Sequence, residues 1–271
     1  MLQRCTVRSV TLAYDWAQAA EPQRNELIVF IHGVGADHTG WEPQVAFFAG
    51  HGFDVAAIDM RGSGDSQARD ESGRAVPISI SEFALDVDAL IRALGYERAH
   101  WVGNSMGGVI IMEGCRLGLR SMASIALCNT FACHPESAAI LPRPGTALKT
   151  RSLEQFARER IPAAHRPSQS AEILERSIAA MARKDVECYL ASWRETWSQD
   201  YRPILSAIAV PALVVTGSED PLTPPALGEE IARGIPGARL VELAHAGHLS
   251  NVDQPEQYNE QVLAFLNSHR A

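Results

Sequence analysis

In the stretch "WVGNSMGG", residues 101–108, a serine stands between two glycines, two positions from each, directly after an apolar run. A G-x-S-x-G turn between a strand and a helix holds its serine in strained backbone, and small flanking residues let neighbouring backbone come close. The strain exposes the hydroxyl, and the helix N-terminus that follows favours negative charge developing beside it. Ser105 is therefore a candidate nucleophile, the other reading being a glycine-rich turn that happens to carry a serine. A serine hydroxyl is a weak nucleophile at neutral pH; it needs a base, and the base needs an acid to orient it. Asp220, in "TGSEDPLTP", and His248, in "AHAGHLSN", each follow an apolar strand-like run. The chain order Ser105, Asp220, His248 is the order that this turn requires.

Each choice has a rival nearby. Glu219 adjoins Asp220, but the distance from the strand and the following Pro221 select Asp220. His245 precedes His248 by three residues; without a third ligand cluster, a metal pair is the weaker reading and His245 is expected to support the loop. Asp59, in "DMRGSGDS", ends a strand but precedes the serine, and reads as a structural turn acid. Cys128, Cys133 and His134 lie close together, yet a cysteine at a strand end is ordinarily a small core hydrophobe. Neither a metal nor a cofactor is expected. A tetrahedral intermediate needs preorganised N–H donors. Met106, directly after the serine, supplies one, and Val34, in "HGVG", is the candidate for the other. His32 in the same loop is expected to hold it by hydrogen bonds.

These residues must be placed by the elements around them. Short apolar runs at residues 27–31, 53–59, 99–103, 124–129, 212–217 and 238–243 read as strands buried on both faces. Helical patterns alternate with them, and such alternation means a mostly parallel sheet covered on both sides. The clearest helix is "SISEFALDVDALIRALG", with Ser79 and Glu82 as a possible capping box and Gly95 as the stop. Others open at Met106 and run over residues 255–268. Residues 6–14 read as an antiparallel edge hairpin. From about residue 131 to 198 the rhythm breaks; no strand pattern appears, and helices are expected over 168–183 and 186–197.

The chain has 271 residues, 46% hydrophobic and 21% charged, with a formal net charge of −8 and a pI near 5.6. That is an ordinary globular balance, and it argues against nucleic acid, whose phosphates require a basic face. Five cysteines with no CxxC pair fit a reducing cytoplasm better than a disulfide framework. The N-terminal stretch lacks the apolar region of a secretion signal, and no apolar run is long enough to span a membrane.

Taken together, "HGVG", "DMRGSGDS", "GNSMGG", "GSEDPLTPP" and "GHLSNVDQP" resemble the α/β-hydrolase fold family over nearly the whole chain. The resemblance implies a nucleophilic serine, an acyl-enzyme and no metal. It also implies an α/β core domain, residues 1–130 and 199–271, and a helical cap, residues 131–198. "HGVGADHTGWEPQV" and "HLSNVDQP" with the helix after it are similar to 3-oxoadipate enol-lactonases and small carboxylesterases. The expected substrate is a small ester or lactone. "GNSMGG" is also similar to carbon–carbon hydrolases of ring-cleavage products; those carry a tryptophan after the catalytic histidine, where Leu249 stands here. A hydrolase-like receptor and an acyltransferase are further alternatives. Ser105 excludes the aspartate-nucleophile mechanism of dehalogenases and epoxide hydrolases. Phe131, Trp193 and Trp197 either line an apolar cavity under the cap or pack it onto the core. A substrate carrying carboxylates would call for an arginine there, and Arg143, Arg151, Arg158, Arg160 and Arg194 all lie in the cap.

Overall fold

In the strand β3, Leu27–Ile31, every residue is buried, so both faces of the sheet must be covered. The computed structural model, which describes residues 1–19 and 25–269, shows how. Leu27, Val29 and Ile31 pack into one hydrophobic cluster with the helices α2 (Ile80–Ala93) and α3 (Met106–Arg116). Ile28 and Phe30 point the other way, into a second cluster with α1 (Glu42–Gly50) and α11 (Pro255–Ser268). The two-residue period of a strand thus divides its side chains between two helical layers.

Among the described residues, eight strands form one sheet. Besides β3 they are β1 (Leu2–Val7), β2 (Val10–Ala17), β4 (Asp54–Ile58), β5 (Ala99–Asn104), β6 (Met122–Cys128), β7 (Ala212–Gly217) and β8 (Arg239–Leu243). The order is β1-β2-β4-β3-β5-β6-β7-β8. The expected edge hairpin is β1–β2, and β2 runs antiparallel to β4; all pairs from β4 onward are parallel. Each parallel strand therefore delivers its following loop to the same edge, where α/β sheets place their sites.

The helix α2 begins as the sequence predicts, with the Ser79 hydroxyl accepting from the Glu82 N–H at 3.1 Å. The Glu82 carboxylate turns to Arg8 and Arg61, at 3.1 and 2.9 Å. Asp86 on the next turn is buried and takes two hydrogen bonds from Arg61, which fastens α2 to the loop after β4.

Among the described residues, the segment between β6 and β7 holds no strand. It contains α4 (Ser137–Ile140), α5 (Arg143–Ala147), α6 (Leu153–Arg160), α7 (Ala171–Ala182) and α8 (Val186–Trp197). The last two were expected; the first three are too short to show a hydrophobic period. Arg183, just beyond α7, pairs with Asp37 at 2.6 Å, and Arg69 with Asp185 at 2.8 Å, so ion pairs tie the helical segment to core loops. The sheet is followed by α9 (Pro225–Gly234) after β7 and by α10 (Ser250–Asp253) and α11 after β8.

His32, directly after β3, fixes the loop at the strand's end. Its Nε2 accepts from the Met60 N–H at 3.1 Å, so Nδ1 carries the proton and donates to the Gly33 carbonyl at 2.7 Å. Burial pushes its pKa down to about 4, and nearby Lys184 acts in the same direction. The unfolded imidazole titrates near 6.5, so this buried neutral ring contributes stability that is complete above about pH 6.5 and lost as the pH falls toward 4. The amount is on the order of 3 kcal/mol. Urea denaturation of His32→Gln at several pH values is expected to show a flatter dependence between pH 6.5 and 4 than the wild type; an unchanged slope contradicts this role.

Candidate active site

Ser105 occupies the N-cap of α3 with φ 55° and ψ −114°, a left-handed backbone that a non-glycine residue holds only when its surroundings enforce it. The enforcement is visible. Its N–H donates to the Cys128 carbonyl at 2.9 Å, and its own carbonyl accepts from the Thr130 hydroxyl at 2.8 Å. Gly107 must be glycine, because a Cβ there would lie 2.2 Å from the Ile31 carbonyl oxygen. This close approach presses the start of α3 onto the end of β3. The loop after β3 passes beside the serine; a Cβ on Gly33 would lie 3.2 Å from the Ser105 Cβ.

Asp220 and His248 come from the loops after β7 and β8, and the structure brings them together. His248 Nδ1 lies 2.9 Å from Asp220 Oδ2. The carboxylate also accepts from the N–H groups of Leu222 and Thr223, the Thr223 hydroxyl and the Asn129 amide. Burial alone would raise the Asp220 pKa; the His248 charge and the hydrogen bonds from His248 and Thr223 outweigh it and hold the acid below its usual value. The Thr223 hydroxyl spends its only proton on Asp220, so its oxygen accepts from His248 Nδ1, 3.1 Å away. Both partners of Nδ1 are acceptors. That nitrogen carries the proton, and Nε2 is left as the basic one.

Ser105 and His248 open onto one cavity of about 200 Å³. It lies at the C-terminal ends of β3 and β5 and is closed on its far side by α6 and α7. Val34, in the loop after β3, is part of its wall. Met106 is the first residue of α3, where N–H groups have no partner within the helix. Apolar side chains dominate the lining, among them Trp41, Ile161, Ile173 and Leu249.

Of the two readings of the aromatic residues, cavity lining is corrected and packing holds. Phe131, Trp193 and Trp197 are 0–4% exposed and belong to the core, not to the cavity wall. Phe131 stacks on Trp197 with ring centroids 4.9 Å apart, and Trp193 packs on Trp197 at 5.3 Å. Three large rings bury more surface against one another than a small cavity offers, and the aromatic residue that does face the cavity is Trp41. Of the five arginines considered, Arg160 reaches the wall. Its guanidinium lies 4.3 Å from the centre of the Trp193 ring, and among the described residues no carboxylate pairs with it. Burial lowers its pKa. Arg151 and Arg158 are spent on surface pairs with Glu159 and with Glu154 and Glu175.

Several other side chains with metal-binding or catalytic chemistry are engaged by their neighbours. Cys128 bonds to the Tyr258 hydroxyl at 3.1 Å, whereas His134 turns to the Leu222 carbonyl at 3.1 Å, so the sequence cluster diverges. The His245 side chain is 80% exposed and bonds to Glu219 at 3.1 Å. Asp37, His38 and Asp59 bring three ligand-type atoms within 4.8 Å of one another. His38 is bonded to Asp59, and Asp37 to Arg183 and Thr39; Asp59 also holds the Asp65 N–H at 2.7 Å. Asp59 is thus a buried turn acid.

Sequence reasoning passed over the residues that hold the histidine loop. Asn129, after β6 with φ 44°, donates to Asp220 and to the Gly247 carbonyl, and the Asn104 amide donates to the His248 carbonyl at 3.0 Å. Their only sequence signal is that each stands at the end of a predicted strand.

A model of the alpha/beta hydrolase family matches residues 28–261. The 3-oxoadipate enol-lactonase 2 of Acinetobacter baylyi is 29% identical over 267 residues, covering 96% of each chain. An enol-lactonase structure from Burkholderia xenovorans superposes with a TM-score of 0.86 at 29% identity, over 98% of this chain and 100% of the other. A hydrolase structure from Pseudomonas aeruginosa gives 0.87 at 28% identity, over 98% of both chains. With this sheet order, this strained serine turn and this breadth of match, the chain belongs to the alpha/beta hydrolase family.

Proposed function

We propose that the protein is a serine hydrolase that cleaves small carboxylic esters or lactones through an acyl-enzyme. The observation that carries this reading is the His248 imidazole, bonded through Nδ1 to Asp220, opening onto the same cavity as the strained Ser105. Ser105 Oγ attacks the substrate carbonyl while His248 Nε2 takes its proton. The Val34 and Met106 N–H groups receive the oxyanion. His248 then protonates the leaving oxygen, which departs as an alcohol or, from a lactone, stays tethered to the acyl chain. Water, deprotonated by His248, releases the acid and restores Ser105. Asp220 remains ionised throughout and stabilises the imidazolium. The helical segment 131–198 acts as the cap, and the five free thiols suit a reducing cytoplasm.

The substrate class follows from Arg160. Arg160 lines the cavity and among the described residues pairs with no carboxylate, so its charge is available to an anionic group of the substrate. On this reading the preferred substrate carries a carboxylate that Arg160 meets. The enol-lactonase relatives are named for 3-oxoadipate, a dicarboxylate, which agrees with this chemistry.

Two measurements test the reading. Ser105→Ala, assayed on a p-nitrophenyl ester, is expected to lose at least about 10⁴-fold in kcat; turnover near that of the wild type contradicts the mechanism. For the substrate class, wild type and Arg160→Met are compared on a half-ester of a dicarboxylic acid and on a neutral ester of equal length. The preference for the anionic ester is expected to fall about 10- to 100-fold in kcat/KM. An unchanged preference removes Arg160 as the anion site.

A further inference from the structure

The helical segment reaches the loop that carries His248, directly at the Leu249 N–H and through Asp253 at the Gly247 N–H. The Gly247 N–H donates to Asp253 Oδ2 at 2.8 Å, and the Leu249 N–H donates to the Ala164 carbonyl at 3.1 Å. Asp253 is itself held from that segment. The Arg166 N–H shares Oδ2 at 2.8 Å, while His165 Nδ1 and Gln169 Nε2 lie 3.0 and 2.9 Å from Oδ1. The side chains of His165 and Asp253 are both fully buried. Burial would raise the Asp253 pKa, but the donors from His165, Gln169, Gly247 and Arg166 outweigh it and keep the carboxylate ionised. Backbone meets backbone closely here; a Cβ on Gly247 would lie 2.8 Å from the His165 carbonyl carbon.

An ionised Asp253 has no proton to give, so His165 Nδ1 carries one. The other ring nitrogen, Nε2, is hydrogen-bonded to the Ser177 hydroxyl, 3.0 Å away. Ser177 lies in α7 and faces the cavity. An unbroken line of hydrogen bonds thus runs from the cavity wall through Ser177, His165 and Asp253 to the N–H of Gly247, the residue before His248. On the core side the same loop is held by Asn129 on the Gly247 carbonyl and by Asn104 on the His248 carbonyl. Of these four bonds beside the imidazole, three come from the core, through Asn129, Asn104 and Asp253, and one from the cap, through the Ala164 carbonyl; the cap's further hold is on the Asp253 carboxylate itself.

We infer that Asp253 is the positioning residue of His248, and that the Ser177–His165 pair makes its placement depend on the seating of the cap. The inference rests on the serine-hydrolase reading. A base displaced by about 1 Å from its proton loses roughly 100-fold in rate, so a carboxylate that fixes the Gly247 N–H and the cap backbone at once acts on the chemical step and not on substrate affinity. Ser177 and His165 transmit this without touching the reacting atoms.

The experiment is steady-state kinetics of wild type, Ser105→Ala, Asp253→Asn and Ser177→Ala on short and long p-nitrophenyl esters, with circular dichroism as the check on folding. Asp253→Asn keeps the size of the side chain but turns one acceptor into a donor. It is expected to lower kcat about tenfold or more with KM within about twofold, equally for both esters, because the lesion lies in the base. Ser177→Ala is expected to lower kcat by roughly threefold with the same signature, since both steps of the reaction use His248. A folded Asp253→Asn with wild-type kcat overturns the inference, and so does a change in KM alone, which is what a reshaped cavity would give. Should Asp253→Asn not fold, Ser177→Ala decides: alanine suits the interior of α7, and an unchanged kcat there overturns the inference. Turnover by Ser105→Ala would instead remove the hydrolase reading itself, whereas an inactive Ser105→Ala beside fully active Asp253→Asn and Ser177→Ala removes only the positioning role.

Discussion

One buried hydrogen bond, from His248 Nδ1 to Asp220, sets the terms for everything around it. A carboxylate taken out of water must be fully paired to stay charged. Asp220 meets that demand with donors from three places: its own loop through Leu222 and Thr223, the end of β6 through Asn129, and the histidine itself. Parallel pairing of β6, β7 and β8 is what brings those places together, since each strand ends at the same edge of the sheet. The imidazole tautomer then follows without further assistance, because both neighbours of Nδ1 can only accept.

Opposite this pair stands a residue held in unfavourable backbone. The turn at Ser105 persists because β3, β6 and α3 converge on it, through the Cys128 carbonyl, the Thr130 hydroxyl and the contact of Gly107 with Ile31. The strain is local, and the restraints that balance it are spread over three elements. His32 adds a fourth by pinning the loop after β3 to Met60. The cavity beside the serine is small and largely apolar, so a charge brought into it acts at low dielectric and is strongly felt.

Much of this architecture was legible in the sequence. Continuous apolar runs located β3 to β7 because strands buried on both faces have no polar alternation to confuse the reading; β8 was located too, but it is the edge strand and mostly exposed, not buried on both faces as expected. Ser79 and Gly95 bracketed α2 because caps are local chemistry. Ser105, Asp220 and His248 stood out because each follows such a run, and the structure sets the last two within hydrogen-bonding distance. The helical segment between β6 and β7 was less legible. The helices α4 to α6 are too short for a period, and whether an aromatic side chain faces a cavity or a neighbour is decided by tertiary packing; Phe131, Trp193 and Trp197 went to the core and Trp41 to the wall. The bonds of Asn129, Asn104 and Asp253 to the histidine loop were invisible for the same reason: each spans more than 100 residues or depends on backbone groups that carry no sequence mark, as Gly247 does.

The central claim is that the Ser105 oxygen becomes covalently acylated. Acid quench within milliseconds of mixing the wild-type protein with a p-nitrophenyl ester, followed by mass spectrometry of the intact chain and its peptides, tests this most directly. The account predicts one added acyl group, carried by the peptide that contains Ser105. Turnover with no adduct at any time, or an adduct confined to another residue, would contradict it.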